Sequence, residues 1–310
     1  MANLKELSRN IPDRLSSGHR LCAGCSASIA ARQILMGTES PVVVSCSTGC
    51  LEVATTIYPY TAWEVPFIHN AFENVAATIS GVETAYQALK KQGKIKKDIK
   101  FVAFGGDGGT YDIGIQSLSG ALERGHNFVY VCYDNEAYMN TGIQRSGATP
   151  YGASTTTAPA GKTSFGKSQF RKDLTAIVAA HNIPYVAQTS ISHWNDLITK
   201  SQKAFSVNGP AFLNVLAPCP RGWRFPSEKV VEISKLAVET GFWPLYEIED
   251  NKWKLNYKPK QIRPLTDWLY LQGRFKHLKK EENKKTVEEF QANVNKRWEE
   301  LLIRCGESGK

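Results

Sequence analysis

Five residues in the middle of the chain, Gly105-Gly106-Asp107-Gly108-Gly109, combine a lone carboxylate with backbone that can turn sharply and approach a ligand closely. A carboxylate is the hard oxygen ligand that Mg2+ selects. An apolar run from Phe128 to Tyr133 then delivers Asp134-Asn135-Glu136. The 26 residues between Gly108 and Asn135 match one helix plus one returning strand, which puts Asp107 and Asn135 on neighbouring strand ends. That placement suits a Mg2+ ion held by one carboxylate, one amide oxygen and one backbone carbonyl, with diphosphate oxygens in the remaining positions. A plain βαβ unit with a glycine-rich turn would account for Gly-Asp-Gly alone. The spaced Asn135 and the continuation Ala137-Tyr138-Met139-Asn140-Thr141-Gly142 point instead to a bound cofactor.

Thiols form the second set. Seven cysteines stand at 22, 25, 46, 50, 132, 219 and 305, and in a chain with no signal peptide they argue for metal or cluster ligation over disulfides. Cys22 and Cys25 form a C-x-x-C pair, whose thiolates suit zinc or an iron–sulfur cluster equally; a thioredoxin-like redox pair would also open a helix, but lacks its βαβ context here. Cys50, beyond the turn Ser47-Thr48-Gly49, is better placed than Cys46 to leave the sheet and join them. Cys219 sits between Pro218 and Pro220, which fix its backbone as a rigid ligand requires. Cys132 lies inside an apolar strand and reads as core, and Cys305 as an incidental thiol in a charged tail.

The elements that position these groups follow from apolar runs and breakers. Strands are expected at Pro41 to Ser45, Phe101 to Phe104, Phe128 to Tyr133, Ile183 to Ala187 and Ala211 to Leu216. Helices are expected at Ser26 to Leu35, Glu73 to Lys91, Ile113 to Arg124, Asp173 to His181 and His193 to Phe205. The alternation predicts an α/β fold with a doubly wound, mostly parallel sheet and a C-terminal helical extension, and such sheets bind ligands at their carboxyl ends. His69 and Asn70 precede the second helix, where they meet phosphate or substrate, or only cap and pack. Gln144 to Phe170 is long and polar, hence mobile or functional. The site domain is expected at 1–225, opening with an extended or loosely helical arm to residue 17, and the extension at 226–310, read as subunit contacts. Of the net charge of +9, +7 falls in residues 251–310, interleaved with acids at helical spacing, as on a solvated or partner-facing helix. No nucleic acid and no membrane are expected, since no run of eighteen apolar residues occurs. A cytoplasmic location follows.

Gly-Asp-Gly followed by Asn at this interval resembles the signature of thiamine diphosphate enzymes. Together with GHRLCAGC, SCSTGC, PFIHNAFEN, APCPRGW and LQGRFKHL, it makes nearly the whole chain resemble the beta subunits of the pyruvate:ferredoxin oxidoreductase family, the 2-oxoacid:ferredoxin oxidoreductases. The resemblance implies thiamine diphosphate, Mg2+ and one 4Fe-4S cluster. Cys22, Cys25, Cys50 and Cys219 would hold the cluster, and Asp107, Asn135 and the Ala137 carbonyl the Mg2+. Gly106, Gly108, Gly109 and Thr110 would line the diphosphate, with Thr48, Gly49, His69 and Asn70 also on the cofactor. Asn140 and Thr141 would face the reacting carbon. Ser26 stands where the family pattern continues with Gly. The implied activity is oxidative decarboxylation of pyruvate to acetyl-CoA and CO2, with electrons leaving to ferredoxin; a branched 2-oxoacid or oxalate is the alternative substrate. An alpha-type partner would complete the thiamine site with a glutamate, and a further subunit would carry more clusters. A zinc-stabilised nucleic-acid-binding protein is the rival from another class, and it leaves Gly-Asp-Gly with its spaced Asn unexplained.

Overall fold

The computed structural model describes residues 6–7 and 11–307, so part of the arm expected over residues 1–17 lies outside the described residues. Eight strands form one sheet in the order β2-β1-β3-β4-β6-β5-β7-β8. They are β1 Val42–Ser47, β2 Phe67–Asn70, β3 Lys100–Gly106, β4 Val129–Asp134, β5 Tyr185–Ser190, β6 Ala211–Leu216, β7 Tyr246–Glu249 and β8 Lys252–Leu255. Pairing is parallel from β2 through to β5, and antiparallel for β7 and β8.

Strand residues alternate between two apolar layers, as side chains on a pleated strand must. Val102 and Phe104 of β3, with Val129 and Val131 of β4, face one layer; Phe101, Ala103, Tyr130 and Cys132 face the other. The first layer is closed by α1 (Ser26–Leu35) and α6 (Trp194–Ser206), and the second by α3 (Val75–Lys91), α4 (Ile115–Glu123) and α5 (Leu174–Ala179). Short α2 (Cys50–Val53) and α7 (Pro220–Trp223) follow β1 and β6. After them come α8 (Val230–Glu239), α9 (Thr266–Leu269) and the long α10 (Lys284–Arg304). Val287, Phe290 and Val294 of α10 enter the first layer and Leu301 the second, so this helix crosses the sheet's end.

Several elements differ from expectation. Phe67–Asn70 is an edge strand rather than the approach to a helix, and α3 begins at Val75. The segment after residue 225 is not all helix: β7 and β8 form a hairpin on the same sheet. Its turn places Asp250 and Asn251 at φ 48° and 64°, the left-handed pair that a two-residue hairpin needs. Residues 108–113 form a single π-helical turn, so α4 starts only at Ile115 and Ile113 is 53% exposed. Such turns are concentrated at functional sites.

Candidate functional site

Parallel register sets the centre of the site: Gly106 lies opposite Tyr133, so Asp107 and Asp134-Asn135 leave adjacent strands side by side. Asp107 is fully buried. Its Oδ1 accepts the Asn135 backbone N–H at 3.2 Å and its Oδ2 the Ser146 hydroxyl at 2.5 Å. Burial pushes the Asp107 carboxyl well above the usual range, and Asp134 adds to this; Ser146 and the Asn135 N–H oppose it. The end of the Asn135 amide that faces Asp107 Oδ1 and the Ala137 carbonyl lies 2.9 Å from each. With nitrogen there, the amide donates twice. With oxygen there, three oxygens are spaced like adjacent ligands of an octahedral ion at 2.0–2.1 Å, which sit about 3 Å apart. The donor set therefore fits Mg2+.

Beside these oxygens a narrow cleft is lined by Thr48, Gly49 and Cys50 after β1, Gly106 at the end of β3 with Gly108 and Gly109 beyond it, and Asn135, Ala137, Asn140 and Thr141 after β4. Gly108 lies against the ring of Tyr138, where a Cβ would collide with the aromatic carbons. Two buried hydroxyls, Ser47 Oγ and Tyr133 Oη, have no hydrogen-bond partner. Tyr133 lines the cleft, and a bound molecule there would supply the missing partner. Phe72, Tyr133, Tyr138 and Met139 also line it, and sequence reasoning missed all of them. Thr110 is fully buried and does not line the cleft, and its hydroxyl donates to the Gly106 carbonyl at 2.7 Å. His69 and Asn70 do not line the cleft. His69 is exposed and pairs with Glu52 at 2.9 Å, while Asn70 is buried and donates to Ser45 Oγ. A second cleft lies under α10, lined by Arg171, Trp243 and Arg297 among others, and none of the expected site residues reach it.

Cys25 caps α1, Cys50 opens α2 and Cys219 caps α7, so three of the four expected ligands sit at helix starts beyond strand ends or turns. Cys22 is exposed, one turn before Cys25, whose N–H donates to the Cys22 carbonyl at 3.0 Å. Gly24 between them takes φ 70°. Burial first, then Cys219, Cys25 and Cys22, push the Cys50 thiol up to about 12. Burial, with Cys219 and Cys22 adding to it against two backbone N–H groups, brings Cys25 to about 11. The four thiols thus lie within electrostatic reach of one another. Among the described residues, however, no three His, Cys, Asp or Glu side chains are close enough to hold a single metal ion. Ser26, buried, donates to the Pro218 carbonyl at 2.6 Å and so joins the Cys25 helix to the Cys219 turn. Cys46 and Cys132 are core residues, and Cys305 follows α10.

Behind the oxygens lies a buried ionic network that contains none of the expected site residues. Glu136, at φ 68°, pairs with Arg274 at 2.5 Å and Arg171 at 3.0 Å. Arg171 also pairs with Asp134 at 2.6 Å and bonds the Tyr111 hydroxyl. Burial raises the Glu136 carboxyl, and the guanidiniums of Arg274 and Arg171 counter it. One sign of the network was present in the sequence: two acids flanking Asn135 at the end of an apolar strand require buried cations.

Residues 46–215 match the family model described as thiamine pyrophosphate enzyme, C-terminal TPP binding domain. A solved 2-oxoglutarate:ferredoxin oxidoreductase from Magnetococcus marinus shares the fold, with a TM-score of 0.55 at 18% identity over 72% of this chain and 79% of that one. Fold and site together define a thiamine diphosphate-binding protein. The pyruvate synthase subunit PorB of Thermotoga maritima is 55% identical over 97% of this chain and 95% of its own length. PorB of Pyrococcus horikoshii is 48% identical over 93% of each, and the ketoisovalerate oxidoreductase subunit VorB of Pyrococcus furiosus 45% identical over 92% and 91%. The chain belongs to the 2-oxoacid:ferredoxin oxidoreductase family, as a beta subunit.

Proposed function

We propose that the chain, within a complex of several subunits, catalyses the oxidative decarboxylation of pyruvate to acetyl-CoA and CO2, using Mg2+ with its thiamine diphosphate and one 4Fe-4S cluster, and passing electrons to ferredoxin. The observation that carries this reading is a shared wall. Cys50 lines the same cleft as the Gly106–Gly109 turn and Asn135, so a cluster thiolate borders the cofactor. When bound, thiamine diphosphate supplies a nucleophile and an electron sink for a 2-oxoacid, and a cluster takes up electrons one at a time.

In this reading Asp107, Asn135 and the Ala137 carbonyl hold the metal, and Ser146 orients Asp107. The N–H groups of Gly108 and Gly109 receive the diphosphate at the start of the π turn. Thr48 and Gly49 close the cleft beside Cys50. Asn140 and Thr141 are exposed at its mouth, where substrate and a partner subunit arrive. Pyruvate is favoured over a branched 2-oxoacid by the names of the more similar relatives. Among the described residues no glutamate lines the cleft, which supports a partner's supplying the carboxylate that activates the aminopyrimidine. Residues 226–310, of which 251–310 carry a net +7, are then the surface for subunit contacts.

Anaerobically purified complex should contain iron, acid-labile sulfide and thiamine diphosphate. Asp107→Ala should lose the thiamine diphosphate and keep the iron. A colourless zinc protein, or cofactor retained at the wild-type level by Asp107→Ala, overturns the reading.

A further inference from the structure

The Asn135–Ala137 segment, which lines the cleft, and the Cys219–Trp223 turn are fastened to each other by a residue from neither. Arg274 lies in the 3-10 segment Gly273–Lys279, and its side chain is 2% exposed. One edge of its guanidinium pairs with Glu136 at 2.5 Å, and its face lies 3.9 Å from the centre of the Trp223 ring. Trp223 closes the circuit: its indole N–H donates to the Asn135 carbonyl at 2.7 Å and its backbone N–H to the Cys219 carbonyl at 2.9 Å. The Gly273 N–H donates to the Arg224 carbonyl at 3.1 Å, so the segment carrying Arg274 is also bonded to the residue after Trp223.

We propose that Arg274 is a positioning residue that locks the Cys219 turn to the Asn135–Ala137 segment, so that the metal end of the cofactor site and the cluster side move as one rigid unit. This rests on the cofactor reading above. Glu136 supplies the reason for such a lock. A non-glycine residue at φ 68° is disfavoured, and that backbone is what brings the Asn135 amide and the Ala137 carbonyl round to Asp107. A buried ion pair to a planar, stacked guanidinium holds the conformation. Lysine cannot reproduce it, having neither the fork nor the flat face. Separate movement of the two segments would change the distance electrons must cross.

Hydrogen exchange read by mass spectrometry on the assembled complex tests this. In Arg274→Lys, exchange should rise together at residues 135–139 and 219–225. The Mg2+ concentration for half-maximal thiamine diphosphate retention should rise about tenfold, the loss expected for one charge-assisted bond. The reduced cluster's resonance spectrum should change at full iron content. Wild type supplies a measurement free of any folding defect: stripping Mg2+ and thiamine diphosphate should increase exchange at 219–225 as well as at 135–139. If 219–225 stays at its original rate in the stripped wild type, the lock is disproved whatever the variant does. Wild type that holds neither iron nor thiamine diphosphate defeats the cofactor reading instead, and paired loosening in Arg274→Lys still decides the lock on its own.

Discussion

Cys219 shows what a single residue type reveals and what it does not. Its flanking prolines and strand-end position were enough to group it with Cys22, Cys25 and Cys50, and the thiols do lie near one another. Serine substitution of each in turn should lower iron per chain and bleach the cluster absorption, while Cys46→Ser, fully buried in β1, should keep its iron. Iron retained in full by Cys219→Ser would remove that residue from the set. Asp107 and Asn135 were legible for a similar reason: carboxylate and amide at a strand-helix-strand interval leave few arrangements. Glu136, Trp223 and Arg274 were not, because their partners lie 88 and 138 residues away and no local pattern encodes that meeting. For His69 and Asn70 the element differed from expectation, because a strand end and a helix entrance look alike when the strand has only four residues. Ser26, which replaces the glycine of the family pattern, turns out to bridge two ligand-bearing segments.

At the scale of elements, the long segment from Gln144 to Phe170 folds over the strand ends and is pinned from inside. Lys167, 2% exposed, donates to the Thr149 carbonyl at 2.5 Å and reaches that of Gly147 at 3.5 Å, just beyond Ser146, which bonds Asp107. Burial first, then Arg171 and Arg145, bring its ammonium down to about 8. In the unfolded chain it keeps its proton to about 10.4. Between those values the unfolded chain binds more protons, so stability rises with pH across that window. Comparison of denaturant unfolding should therefore show the wild type gaining on Lys167→Met by at most about 3 kcal/mol from pH 8 to 10.5. A constant difference across that range would mean that the ammonium is not held as placed. Strands β3, β4 and β6 were legible because an unbroken apolar run buried on both faces has little other reading. The hairpin of β7 and β8 was not, since Pro244 precedes it and Glu247, Glu249, Lys252 and Lys254 dilute the apolar pattern; the Asp250-Asn251 turn was the usable sign.

For the molecule as a whole, the site opens at one end of the sheet with Asn140 and Thr141 exposed, and the thiols at that end form one set. On the proposed reading a single cluster takes an electron but offers no relay to a distant carrier. Purified chain given thiamine diphosphate, Mg2+ and coenzyme A should therefore show no 2-oxoacid-dependent dye reduction, and adding the partner subunits should restore it. Turnover by the chain alone at the rate of the complex would show that the site needs no partner. The parallel α/β class was legible from the alternation of elements. The continuation of the sheet past residue 225 was not, because it depends on β7 pairing with β5 across more than fifty intervening residues.

Strand order also governs how the chain is made. Each of β2, β3 and β4 pairs with a strand already synthesised, so the half-sheet bearing the Gly-Asp-Gly turn can close as it leaves the ribosome. For β5 the case differs, since both its neighbours, β6 and β7, come later. The 20 residues between Ser190 and Ala211 take about 1–4 s to add at 5–20 residues per second. Through that interval β5 emerges with neither edge paired, and Cys219 has yet to be made. The time at which a nascent chain of this protein most needs a chaperone falls between residues 190 and 216, after the diphosphate turn exists and before the cysteine set is complete.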